Sequence, residues 1–87
     1  MTDEQIMDLV NRTLAEEFEL NLKDLTPEAH LITDLGLDSL DFVDMVVVLQ
    51  NAFGVSLREE PSIQQIRTVG EIHQLVIAKK RELDAQS

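Results

Sequence analysis

Residues 36–54 read GLDSLDFVDMVVVLQNAFG, and they set the architecture. A helix is predicted from Asp38 to about Phe53. Asp38 is a good N-cap, and Asp41 three residues later resembles the reciprocal acid of a capping box, where Glu or Gln is the usual choice. Gly54 is the stop signal. On a helical wheel Phe42, Met45, Val46, Leu49 and Phe53 share one side, a core face. The opposite side holds Leu40, Asp41, Val43, Asp44, Val47, Val48 and Asn51, where a surface helix would be mostly polar. Either this helix is buried on both sides, or it displays an acid-rimmed apolar patch to a partner. A small domain has little with which to cover both sides, which favours the patch. The run Val46-Val47-Val48 has strand propensity but sits in a helical frame.

The flanking segments complete an all-α pattern. About Thr2 to Glu19, Ile6, Leu9, Val10, Thr13 and Leu14 recur at helical spacing, with Asp3 and Glu4 in the first turn. A connector from about Leu20 to Leu37 carries Asn21, Thr26-Pro27 and Gly36 as loop signals, yet also Leu22, Leu25, Leu31, Ile32, Leu35 and Leu37, so it is expected to pack rather than hang free. Between Arg58 and Arg67 an irregular stretch or single helical turn is expected, with Pro61 in its first turn. Thr68 and Glu71 form a T-x-x-E capping box for a last helix, with Val69, Ile72, Leu75, Val76 and Leu83 on one face. Lys79-Lys80-Arg81 are read as a C-terminal feature of that helix, and Asp84 to Ser87 as a frayed tail. The expectation is an up-and-down bundle of three main helices plus one short helix in a single domain.

Composition narrows the chemistry. The chain has 87 residues, enough for one modest core. Its 44% hydrophobic and 28% charged residues fit a folded domain. No cysteine is present, which excludes disulfides, thiolate metal sites and cysteine nucleophiles on this chain. Seventeen acids against seven bases give a net charge of −10, which repels nucleic acid and anionic membranes and attracts basic protein surfaces. Aromatic content is 3%, all phenylalanine, so no stacking platform for bases exists. No apolar run approaches the ~20 residues of a membrane span, and the acidic start argues against a secretory or mitochondrial leader. A cytoplasmic monomer without membrane insertion is expected.

Other constellations are weaker. Asp34, Asp38, Asp41 and Asp44 do not match the calcium loop spacing. Gly36-x-x-Ser39 lacks the second glycine of a nucleophile elbow. His30 and His73 are expected to be surface or half-buried side chains rather than ligands or bases. Ser39 stands at the first helical position, where exposed N–H groups and a partial positive charge suit an attached phosphate. On physical grounds alone, a favourable first-turn residue is the commoner reading.

Asp34-Leu35-Gly36-Leu37-Asp38-Ser39-Leu40-Asp41 closely resembles the modification motif of acyl carrier proteins, D-L-G-x-D-S-L-[DE]. Thr26-Pro27-Glu28 is similar to that family's first loop, Val43-Asp44 and Phe53 to its recognition helix, and Thr68-Val69 to the start of its last helix. The resemblance runs from about Ile6 to Val76. It implies a non-catalytic carrier with 4′-phosphopantetheine, derived from coenzyme A, attached covalently at Ser39 by a phosphopantetheinyl transferase. Acyl intermediates would ride on the arm as thioesters between enzymes of fatty-acid, polyketide or related lipid biosynthesis. It further implies that Asp38, Asp41 and Asp44 meet basic patches on the transferase and on ketosynthase, acyltransferase or acyl-ligase partners, around an apolar centre of Leu40, Val43 and Val47. An aminoacyl or peptidyl carrier, and an unmodified acidic interaction domain of the same shape, are the alternatives; an acidic metal-sensing module is a further one. Gln50-Asn51-Ala52 stands where the family often has glutamates. Phe42 replaces a residue that is often small or polar, and Pro61, Arg58 and Arg67 lie in a segment that is usually acidic and proline-free. These departures suggest a specialised carrier, with Phe42 narrowing any interior space for an acyl chain.

Overall fold

The computed structural model describes residues 1–58 and 60–86, the side chain of Gln86 aside. Three helices carry the fold: α1 (Asp3–Phe18), α2 (Ser39–Phe53) and α3 (Val69–Gln86). Two short 3₁₀ helices, Leu22–Asp24 and Pro61–Gln65, lie in the connections. Among the described residues there is no β-strand, only an isolated antiparallel bridge between His30 and Thr68. The expected all-α bundle is what forms.

Each main helix starts on a reciprocal cap, which satisfies N–H groups that the helix itself leaves unpaired. In α1, Gln5 N–H donates to Thr2 Oγ1 (3.1 Å) and Thr2 N–H to Gln5 Oε1 (2.9 Å). This T-x-x-Q box lies at the start of α1 and encloses the acids Asp3 and Glu4. In α3, Glu71 N–H donates to Thr68 Oγ1 (3.3 Å) and Thr68 N–H to Glu71 Oε1 (3.1 Å), as the sequence predicts. α1 ends at Glu19 in the left-handed region (φ 55°), and α2 ends at Gly54 (φ 68°), where the absence of Cβ removes that strain.

The three helices share one core. Ile6, Val10 and Leu14 of α1 meet Met45, Val46, Leu49 and Phe53 of α2 and Val69, Ile72 and Val76 of α3. The connector after α1 adds Leu25, Ala29, Leu31 and Leu37, so its aliphatic content is spent on packing. Backbone bonds fasten it to the start of α3. Leu31 N–H donates to Arg67 O (2.9 Å), Val69 N–H to Ala29 O (3.0 Å) and Gly70 N–H to Pro27 O (3.0 Å). Gly70 is required by this approach: a Cβ there would lie 2.9 Å from Pro27 O and 3.2 Å from Pro27 Cβ.

Several details differ from the sequence reading. α3 continues through Asp84 to Gln86, where a frayed tail is expected; Ser87 lies outside the described residues. Lys79, Lys80 and Arg81 therefore precede the last turn, and two of them act elsewhere. Lys79 pairs with Glu60 (2.6 Å) and Glu82 (3.5 Å), which ties the Pro61–Gln65 helix to α3, and Arg81 pairs with Asp3 (2.6 Å). Gln50, expected only as a missing acid, is half-buried, and its Oε1 accepts the N–H groups of Leu57 (2.8 Å) and Arg58 (2.9 Å). His73 is buried rather than half-exposed, and its Nε2 is hydrogen-bonded to Asn11 Oδ1 (2.8 Å) across α1 and α3.

Burial pushes the His73 imidazole below its ordinary value. The unfolded chain then takes up its proton first, so this contribution to stability is complete above about pH 6.5 and lost as pH falls from there toward the folded-state value. The urea midpoint of the native protein is expected to drop between pH 7 and pH 5 by more than that of H73Q; parallel curves would contradict this. G70A, which in an open helix would gain roughly 1 kcal/mol, is expected instead to lose about 1–2 kcal/mol through overpacking, read as a Tm several degrees lower.

Candidate functional site at the head of α2

Asp38 caps α2 from an extended conformation. Its Oδ1 accepts Asp41 N–H (2.9 Å), and Asp41 Oδ2 accepts Asp38 N–H (3.1 Å). Asp at the third helical position thus does the work usually given to Glu or Gln. The loop before it is shaped by Asp34, whose Oδ2 accepts His30 N–H (2.7 Å), and by Gly36 at φ 74°. Leu37 N–H then donates to Leu31 O (3.0 Å), and the buried Leu37 side chain anchors the entry into α2.

This arrangement leaves Ser39 exposed at the first helical position with no assigned structural role. Asp38 supplies the cap, and among the described residues nothing hydrogen-bonds the Ser39 hydroxyl. The N-terminal amides of α2 that the cap does not use point out beside it, adding a partial positive charge.

Two surfaces meet at Ser39. The first is the outer face of α2. Leu40 is 78% exposed and Val43 59%, far beyond what aliphatic side chains need to be. Asp38 and Asp44 are exposed around them, Asp41 is half-exposed, and Val47 and Val48 are half-buried. Of the two sequence readings, the displayed patch is the one that holds for Leu40 and Val43, while Val47 lies partly against the bundle. α1 adds an acid that the sequence reading missed. The Glu17 carboxyl is pushed above its ordinary value by a hydrogen bond with Asp44 and by that neighbour's charge. Helical periodicity shows Glu17 to be polar but does not say which helix it faces.

The second surface is a cleft of about 460 Å³ between α2 and the segment leading into α3. Leu31, Leu37, Phe42, Val43 and Ile66 give it apolar walls, and Ser39 lies at its edge with His30, Gln64 and Arg67. Phe42, assigned to the core face by periodicity, is only half-buried and forms part of this wall. The residues fit a phosphate-tethered arm: a free hydroxyl, unused helix N–H groups, and an adjoining apolar channel.

A family model described as "Phosphopantetheine attachment site" matches residues 8–76. The chain belongs to the acyl carrier protein family. It is 36% identical over 72 residues to acyl carrier protein 2 of Ralstonia nicotianae, covering 83% of this chain and 88% of that one. It is 42% identical over 59 residues to acyl carrier protein AcpXL of Brucella melitensis, covering 68% of this chain and 63% of that protein, and 39% identical over the same length to AcpXL of Mesorhizobium japonicum. The chain thus spans less than two-thirds of the AcpXL relatives. The acyl carrier protein of Enterococcus faecalis superposes with a TM-score of 0.72 over 91% of this chain and 99% of that one at 23% identity, a likeness of fold.

The carrier's remaining titratable clusters are sparse. Among the described residues no group of three or more His, Asp or Glu side chains is arranged to hold a metal, and no helix is long and apolar enough to cross a membrane.

The division of labour between neighbours is testable by denaturation. D38A removes the cap and is expected to cost about 1 kcal/mol, whereas S39A is expected to fall within about 0.5 kcal/mol of the native protein. Equal losses would mean that Ser39 shares the capping role.

Proposed function

We propose that Ser39 is the attachment point of the 4′-phosphopantetheine arm and that the protein shuttles acyl groups between separate enzymes without catalysis of its own. The observation that carries the reading is the unused Ser39 hydroxyl beside a carboxylate that has taken over the cap. A phosphopantetheinyl transferase supplies the chemistry of loading. The Ser39 Oγ–P bond forms as the pyrophosphate bond of coenzyme A breaks. Adenosine bisphosphate leaves, and the hydroxyl proton passes to the transferase. Bound there, the arm supplies the thiol that this cysteine-free chain lacks, able to hold an acyl group as a thioester.

The residues around Ser39 have separate tasks in this reading. Leu40 and Val43 form the apolar centre of a docking face, with Val47 at its inner margin. Asp38, Asp41 and Asp44 surround it with negative charge, and the cap uses only one oxygen of Asp38 and one of Asp41, leaving the others for basic side chains of a partner. Glu17 extends that rim from α1. The partners are the transferase and acyl-handling enzymes of the ketosynthase, acyltransferase or acyl-ligase type with basic entrances. Charge of this kind speeds encounter and fixes orientation more than it adds affinity. Gln50, engaged with the Leu57 and Arg58 amides, replaces an acid with a structural anchor. The shortened rim favours a dedicated set of partners over a general one.

The test is intact mass after incubation with coenzyme A and a broad-specificity transferase. The native protein is expected to gain one phosphopantetheinyl group and a folded S39A variant none. A gain in S39A, or none in the native protein with a transferase from its own source, would contradict the reading. For docking, V43D and D44K are each expected to lower the transferase kcat/KM at least tenfold, about 1.4 kcal/mol, with the D44K effect shrinking as salt rises.

A further inference from the structure

The cleft beside Ser39 holds an unexpected charge. Its walls are apolar, and the acid lining it is Asp38, one oxygen of which is committed to the cap. Opposite in sign stands Arg67. In a chain with seventeen acids, no carboxylate lies within ion-pair distance of the Arg67 guanidinium among the described residues. Glu71 is the acid closest in chain to it, and the Arg67 backbone N–H, helped by the Arg67 charge, holds its carboxyl below the ordinary value. Glu71 Oε1 is nevertheless committed to the Arg67 and Thr68 backbone N–H groups and the Thr68 hydroxyl as part of the α3 cap, and it makes no ion pair with the guanidinium.

The Arg67 side chain is nevertheless held. Its Nη1 donates to Gln64 O (2.9 Å) and to Ile66 O (2.9 Å). Two carbonyls orient the guanidinium without cancelling its charge, and the remaining N–H groups of its planar fork stay available for an anion. The segment carrying it is itself fixed, because Arg67 O accepts Leu31 N–H (2.9 Å). His30 lines the same cleft. Its Nδ1 accepts the N–H groups of Ile32 (3.2 Å) and Thr33 (3.3 Å), so the neutral ring carries its proton on Nε2 and offers a second donor.

We propose that Arg67 is the anion contact for the phosphodiester tethered to Ser39, drawing the root of the arm into the cleft between α2 and the Pro61–Gln65 segment. The proposal rests on Ser39 being the attachment point. Its physical reason is local. A phosphodiester on Ser39 adds negative charge between Asp38 and Asp41 in a protein already at −10, and the cation among the residues lining the cleft is Arg67. The phosphate is bonded to Ser39 itself, at the cleft, whereas an acyl cargo sits at the far end of the arm. The arm root is thus the anion within the cleft, and the apolar walls beyond it suit the aliphatic part of pantetheine.

The experiment compares apo and holo protein by NMR, with intact mass establishing the modification. Arg67 Nε–H is expected to shift on going from apo to holo, and the change to shrink toward 1 M salt, where charges are screened beyond about 3 Å. The ³¹P signal of native holo protein is expected to differ from that of holo R67Q, and R67K to restore most of the native value. R67Q could disturb the segment through its lost carbonyl contacts; R67K keeps the charge and separates the two effects. A mass gain with an unmoved Arg67 Nε–H, or with the same ³¹P signal in R67Q, overturns the proposal alone. An Arg67 signal that moves only when a malonyl group is loaded would assign the contact to cargo and overturn it too. No mass gain at Ser39 overturns both this proposal and the reading beneath it.

Discussion

The paired bonds between Asp38 and Asp41 are the constraint on which the rest depends. A helix beginning in this loop needs partners for its first N–H groups. Serine is as good a cap as aspartate in general. Here the aspartate takes the cap and the serine moves one position inward, to a place where its hydroxyl has no structural duty. Both aspartates also keep a carboxylate oxygen outside the cap. One interaction therefore stabilises the start of α2, leaves the Ser39 hydroxyl outside the cap and leaves charge on the rim.

The surroundings of that serine depend on how the long connector is held. Leu25, Ala29, Leu31 and Leu37 bury their side chains, and backbone bonds from Leu31, Val69 and Gly70 join the connector to the start of α3. Glu71 closes the α3 cap on Thr68 and also accepts Arg67 N–H. These bonds fix the two walls of the cleft relative to Ser39, and they set Arg67 in the same cleft as Ser39. The Lys79–Glu60 pair secures the other end of the Pro61–Gln65 segment. Its side chains are only about a quarter exposed, so solvent and salt screen the pair less than an open surface pair.

Much of this was legible in the sequence because its signals are local. Helix periodicity gave α1, α2 and α3, capping chemistry gave the starts of α2 and α3, and the octapeptide ending at Asp41 carried the family. Pairings between distant positions were not legible. Nothing in Gln50 announces bonds to Leu57 and Arg58, and nothing in the Lys79-Lys80-Arg81 run announces Glu60 and Asp3. Periodicity puts Phe42 on the core face, and it does pack against the core, but only the fold shows that it is half-buried and also walls the cleft. The sequence predicts His73 to be at the surface or half-buried, since no local feature reveals Asn11 facing it. Arg67 stood out as a departure from the family pattern, and only the fold brings it to the same cleft as Ser39.

In the role proposed for this carrier the chemistry lies off the polypeptide. The chain contributes a hydroxyl, a rigid frame and a charged, partly apolar face, and its relatives in the acyl carrier family share that fold. The most direct check of the central claim is fragment mass spectrometry of the phosphopantetheinylated protein, locating the added group among Ser39, Ser56, Ser62 and Ser87. The account predicts that all of it lies on Ser39. Any substantial fraction on another serine would contradict it.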